Sequence, residues 1–454
     1  MPATSRTPNT RLRALITEAR WTGQGLARAV NAAGFELGLD LTYDRTAVSH
    51  WLSGSRPPTT VARLAAEAFT RRLGRVVTVP DTGLGPPGLR ATVPAAPEGP
   101  ELDEGVAHLV DLCAADADPT RRAALRDLVY SVSALRTAGG GPPRTVPGAV
   151  GVDGRQRARG SQRAQAVRTM TGLFSTADSL LGGEHIRPAL TAYLSGDVAH
   201  WMRSTPGSSE ARRELTEAVA ELGYLAAFVC FDSGLHGLAQ RYYLASLGLA
   251  EHSGDPLLRA TILRGMSVQA YSLRHVREAL RLAEAADAYS RRLPPARAAA
   301  LAGQLAVASA ANGLHREASS HLRRAEGLLE QCGAADEPVG AYHRSSLWHQ
   351  SAEVLAASGD RPAAIGVLAA SIRQRPDGER RSRAITVARL AHLQLDIGHL
   401  EAACTTVDLL CDDIPYLHSA RATGSLEALR TRLRPFSRNP GARATLARIS
   451  TLGE

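Results

Sequence analysis

The chain contains no lysine; all 53 of its basic residues are arginine. With abundant alanine, that is the coding bias of a GC-rich genome, so arginine content alone says nothing about binding. A phosphate loop of the Walker type needs its lysine and is excluded. Gly139–Gly141 runs into prolines and reads as linker. Aromatics make up only 4% of the chain, and strand signals are nearly absent. No GxGxxG follows a strand, and there is no GxSxG and no HExxH. The five cysteines (Cys113, Cys230, Cys332, Cys404, Cys411) are scattered, odd in number and never spaced CxxC. They read as reduced core thiols, with neither disulfide nor metal. Asp116 with Asp118, and Asp412 with Asp413, have no companion that would make a catalytic pair. The opening MPATSRTPNTR lacks the apolar core of a signal peptide. The longest apolar run, Tyr224–Phe231, is too short to span a bilayer. The expectation is a soluble, cytoplasmic protein that is not an enzyme and carries no cofactor.

What the chain does have is a repeat. Ala239, Ala279, Ala318, Ala364 and Ala403 are separated by 40, 39, 46 and 39 residues. Five residues before them stand Gly234, Arg274, Gly313, Gly359 and Gly398, and twelve before stand Ala227, Ser267, Ala306, Ala352 and Ala391. Four after them, Tyr243, Ala283, Leu322, Leu368 and Val407 are mostly apolar. A fixed period in this range marks a repeat array. Each unit reads as two helices around a tight turn, with small residues permitting close approach and glycine supplying backbone freedom. Trp348, with Pro256 and Pro294 near unit ends, makes the array similar to tetratricopeptide repeats over roughly Leu222–Leu410. An incomplete further unit is expected around Thr169–Met202. The resemblance implies a solenoid with a concave surface for a peptide, a small molecule or a protein partner.

The expected fold is all-α. Residues 1–78 form a head, 79–100 a Pro/Gly-rich linker, 101–138 a helical connector, 139–160 a second linker and 161–454 the solenoid. The chain carries a formal charge of +9, and eleven arginines against five acids up to Arg75 place +6 of it in the head.

Four helices are expected in the head. Leu12, Leu15 and Ile16 share one face of the first. Thr22 caps the second, which holds Leu26, Ala27 and Val30. Asp44 caps the third, with Val48, Trp51 and Leu52 facing inward and Gly54 ending it. Thr59 or Thr60 caps the fourth, over Val61, Leu64, Ala65, Ala68 and Phe69. Gln24-Gly25-Leu26-Ala27, followed by Val48 to Leu52 and Gly54-Ser55-Arg56-Pro57, resembles the Xre/Cro-type helix-turn-helix. In that family about eleven residues separate the equivalents of Leu26 and Val48; here the interval is 22. The extra stretch is expected to lengthen the second helix or to form a loop or strand pair. The resemblance implies that Arg45, Thr46, Ser49 and His50 enter the major groove of double-stranded DNA. It implies that Gln24 and Arg56 contact phosphate, and that the protein acts as a homodimer.

The whole layout resembles actinobacterial helix-turn-helix regulators with tetratricopeptide-like domains. It implies transcriptional control of development or secondary metabolism, with the solenoid dimerising or sensing a signal. The alternative reading is an adaptor or anti-activator that works through the solenoid without specific DNA binding.

Overall fold

The computed structural model describes residues 7–35, 39–73, 77–85, 102–118, 125, 128–135, 154–205, 210–332 and 342–452. Residues 86–100 of the expected first linker and 139–153 of the expected second lie outside them. Among the described residues there is no strand.

The N-terminal cluster contains α1 (Thr10–Glu18), α2 (Gly23–Phe35), α3 (Arg45–Leu52), α4 (Thr59–Leu73) and the single turn α5 (Val79–Thr82). Asn9 caps α1, and its amide donates to the Thr82 carbonyl at 3.0 Å, tying α1 to α5. Val77 and Leu84 are buried in the same core as Leu12, Leu26, Val48, Trp51 and Phe69. The cluster's packing thus runs past residue 78 to about Leu84. Thr22 and Asp44 accept from the backbone amides of Gly25 and Ala47 as N-caps. Thr59, by contrast, is the first residue of α4 and not its cap.

Of the extra residues between Leu26 and Val48, those up to Phe35 belong to α2 and 39–44 form a described loop segment. That loop is pinned to α2: the Asn31 amide donates to the Tyr43 carbonyl (2.8 Å) and accepts from the Tyr43 amide (3.0 Å). Leu41 packs onto Gly34 so closely that a Cβ there would come within 2.4 Å of it. Tyr43 in turn meets Trp51 of α3 edge-on at 5.3 Å.

The array begins with α6 (Leu102–Ala117), α7 (Gly154–Leu181), α8 (Gly183–Tyr193) and α9 (Ala199–Ser204). Six helix pairs follow: α10 (Glu210–Asp232) with α11 (His236–Ser253), α12 (Pro256–Ser272) with α13 (Val276–Asp287), and α14 (Pro295–Ala311) with α15 (His315–Glu330). Then come α16 (Arg344–Ala357) with α17 (Arg361–Arg373), α18 (Arg380–Asp396) with α19 (Leu400–Asp413), and α20 (Ala420–Leu433) with α21 (Pro440–Thr451). The chain is a helical solenoid. The expected connector is not a free spacer: Leu109 and Cys113 of α6 are fully buried in the solenoid's largest core. The last seven residues of the expected second linker, 154–160, belong to α7.

The repeat positions explain why the pairs form. All five anchor alanines are fully buried, and so are the small residues twelve before them. In the second pair these two positions touch: the Ser267 hydroxyl donates to the Ala279 carbonyl at 2.7 Å. All five turn residues are left-handed, with φ of +74° at Gly234, +66° at Arg274, +81° at Gly313, +92° at Gly359 and +80° at Gly398. The next amide reaches back to a carbonyl five residues earlier, as in Leu235 to Cys230, His275 to Ala270 and Leu314 to Ser309. This is the Schellman closure, which satisfies carbonyls at the end of a helix. Arg274 adopts it without being glycine, at a cost of roughly 1–2 kcal/mol.

The sixth pair has no such glycine. A 3-10 turn at Arg434–Phe436 and an Asn439 cap on α21 make its corner. Ala442, 39 residues beyond Ala403, is fully buried at the matching position.

A Cβ at Gly313 would meet nothing within 4 Å, so Gly313→Ala should act through backbone strain alone. We expect it to destabilise the chain by about 1 kcal/mol, and Arg274→Gly to stabilise it by a similar amount. Urea denaturation of both variants checks the opposite signs.

Candidate functional site

The solenoid closes on itself. The His418 amide donates to the Leu181 carbonyl at 2.7 Å, and the Glu184 amide donates to the His418 carbonyl at 3.1 Å. Buried Asp232, at the end of α10, accepts from the Gly183 amide (3.0 Å) and from the Ser419 hydroxyl (2.8 Å). Arg381 of α18 pairs with Asp178 of α7 at 2.6 Å and lies over Phe228. Helices α7 and α8 near the start of the array are therefore joined to α18 and to the segment entering α20, and the first helix of each pair faces inward.

They enclose a cavity of about 1730 Å³, larger than the roughly 300–1,000 Å³ of a typical small-molecule pocket. Its wall is partly apolar, with Tyr224, Phe228, Val268, Val307 and Ile385. A polar belt crosses it: Tyr271 donates to Glu353 at 2.8 Å, and Arg389 binds the same carboxylate through two nitrogens at 2.6 and 3.0 Å. That belt joins α12, α16 and α18.

Burial pushes His236, His349 and His392 down to about 4, and arginines add to the effect: Arg421 at His236, Arg375 and Arg389 at His349, and Arg432 and Arg389 at His392. Burial pushes Asp178 up to about 6.

The head sits at one mouth of this cavity. Phe35, the last residue of α2, is 78% exposed and lines the opening. At the other end of α2, about 17 Å away at 1.5 Å per residue, Gln24 Oε1 accepts from the Arg45 amide at 3.1 Å and caps α3. A second contact fixes the head. Glu67 of α4 is buried 3.3 Å from His275 Nε2, and Tyr130 stacks on that imidazole at 5.2 Å. The strap carrying Tyr130 is held by Gln240, whose side-chain amide bonds both ways with the Ser131 backbone. The Leu128 carbonyl lies where a Cβ of residue 237 would stand, so only glycine fits at Gly237.

The expected head residues fall on one surface. Arg45, Thr46, Ser49 and His50 are exposed along α3, while Val48 and Trp51 are buried. Arg56 is exposed in the following turn. Gln24 is exposed too, and with its oxygen spent on the α3 cap its amide protons remain available to a ligand. Asp116, Asp412 and Asp413 have ion-pair partners in Arg187, Arg448 and Arg383. Tyr242 and Tyr243 are fully buried core residues and do not line the cavity. All five cysteines are unbridged. Among the described residues no group of His, Cys, Asp and Glu could hold a metal, and no helix is long and apolar enough to cross a membrane. The cavity residues Phe35, Arg264, Arg381, Arg389 and Arg421 were not singled out from sequence. Arg274 carried a visible signal, the one non-glycine among five turn positions.

The family profile of the SP15 N-terminal domain matches residues 12–85, which is the packed head from Leu12 to just past Leu84. No curated protein matches the chain.

The depressed histidines set a pH dependence. Between about 4 and the usual 6.5 the unfolded chain binds more protons at these sites, so stability falls as pH falls through that window. Asp178, raised in the folded state, works in the opposite sense below about 6 and offsets only part of three histidines. The urea midpoint should be lower at pH 5 than at pH 7.5, and His349→Gln should flatten the slope. A midpoint that rises on acidification would contradict the assignment.

Proposed function

We propose that this protein is a DNA-binding transcriptional regulator whose solenoid senses a ligand. The observation that carries the reading is α2: one rigid helix runs from the cavity mouth at Phe35 to the N-terminus of the outward-facing α3. The helix-turn-helix reading supports α3 as the recognition helix. Its Arg45, Thr46, Ser49 and His50 present a face of polar side chains, an arginine among them, of the kind that reads base edges. Gln24 and Arg56 flank it where phosphates would lie. A ligand touching Phe35 changes the position of α2, and with it the angle at which α3 meets the groove.

A dimer is the form in which such a head reads two half-sites, whose spacing is then fixed by geometry. Cytoplasmic location, and a place in actinobacterial development or secondary metabolism, belong to the same proposal. The competing reading is an adaptor or anti-activator whose head makes no sequence-specific contact.

Capture of genomic fragments by the full-length protein separates the two. The regulator reading predicts a few sites sharing an inverted repeat. Affinity for them should fall at least tenfold in the Arg45→Ala, Ser49→Ala double variant, given roughly 1–3 kcal/mol per specific base contact. Diffuse capture that vanishes with salt, unchanged in the double variant, would mean only charge attraction and favour the adaptor.

A further inference from the structure

Seven arginines and four carboxylates line the cavity. Most of this charge is already matched: Arg381 with Asp178, Arg389 with Glu353, Arg375 with Glu379, Arg432 with Asp396. The fourth lining carboxylate, Glu427, pairs with Arg430. Among the described residues, three lining arginines have no carboxylate within ion-pair distance: Arg264, Arg274 and Arg421.

Arg421 is the most telling. Its guanidinium lies over Phe231 at 4.4 Å and makes no hydrogen bond among the described residues. The carboxylate acting most strongly on it, Asp232, is occupied by Gly183 and Ser419. Arg264 uses only its Nε, donating to the Ala300 carbonyl at 3.1 Å. Both cations act on Tyr243, so they belong to one region of the wall. Arg274 holds a left-handed turn where the other four repeats have glycine, and its exposed side chain lines the cavity. Backbone strain of this kind persists where surrounding structure and function support it. Unmatched like charges such as Arg264 and Arg421 on one partly buried, partly apolar wall are unfavourable until an anion enters.

We propose that the cavity receives an amphipathic organic anion: an aromatic or aliphatic body bearing one carboxylate, sulfonate or phosphate. Arg421 and Arg264 hold the charged group, Arg274 guards the mouth, and Tyr224, Phe228 and Val268 receive the body. Phe35 closes over its outer end. This inference rests on the sensing reading above but not on DNA binding.

The test is a fluorescence titration of the full-length protein with anilinonaphthalene sulfonate and with N-phenylnaphthylamine, which has the same rings and no charge. The sulfonate should saturate one site and bind at least tenfold more tightly than the neutral probe. Arg421→Gln should weaken the sulfonate at least tenfold and leave the neutral probe unchanged. If that variant does not fold, as judged by its circular dichroism melt, Arg264→Gln and Arg274→Gly supply the same comparison. Equal affinities for the two probes, or a sulfonate affinity unmoved by these substitutions, would overturn the proposal. So would an acidic decapeptide that binds the cavity while the sulfonate does not, because that assigns the space to a peptide. Failure to bind DNA leaves every one of these readouts intact, so the two readings fail separately.

Discussion

The structure turns on Asp232. Its two carboxylate oxygens hold the amide of Gly183 on one side and the hydroxyl of Ser419 on the other, joining the start of the helical array to its last pair. An open solenoid offers a concave face; a closed one offers an interior. With the ends joined, the inner surfaces of seven helices face a common space, and charges on one wall are felt on the opposite one. The Asp178–Arg381 pair beside the junction is deeply buried. Such pairs cost desolvation and are weak evidence for stability. Here the pair fixes which helices meet, and Phe228 and Phe231 beneath Arg381 and Arg421 keep those cations positioned.

The head depends on the array in turn. Nearly every residue of α4 from Leu64 to Thr70 is buried, although a four-helix head standing alone would leave one face of that helix in water. The strap at Leu128–Leu135 fills the difference, with Val129 packed into the head and Tyr130, Val132 and Leu135 in the solenoid core. The head is therefore held through α4, His275 and Tyr130, while the far end of α2 lines the cavity with Phe35 largely exposed. In the regulator proposed above, a change at the cavity would act on α2 while α4 stays anchored, and would turn displacement into rotation of α3. Coupling through one rigid element with two ends is the simplest route by which a remote site biases another.

Local features of this fold were legible in the sequence, and distant ones were not. The repeat was readable because each unit needs the same two things: small residues where two helices touch, and a left-handed residue where the chain turns. Both requirements are local and recur at fixed spacing. The sixth pair was missed because its corner uses a 3-10 turn and an asparagine cap in place of glycine. The closure was invisible because Asp232 and Ser419 are 187 residues apart and neither belongs to a motif. The cavity followed it out of sight, since which arginines lack a carboxylate depends on rotamers and neighbours. In the head, caps and inward faces were read from spacing, and the insertion was recognised as a departure. Its consequence, a longer α2 that reaches the cavity, required knowing where the head docks.

The most direct test of this coupling is amide hydrogen exchange on the full chain, alone and bound to a duplex recovered from genomic capture. Linkage is reciprocal: if the cavity biases the recognition helix, DNA must bias the cavity. The account predicts protection in α3 that continues along α2 to Phe35, with altered exchange in the cavity-lining helix Ala420–Leu433. Protection confined to α3 and the Ser55–Pro58 turn would show that head and cavity are energetically separate, and would contradict it.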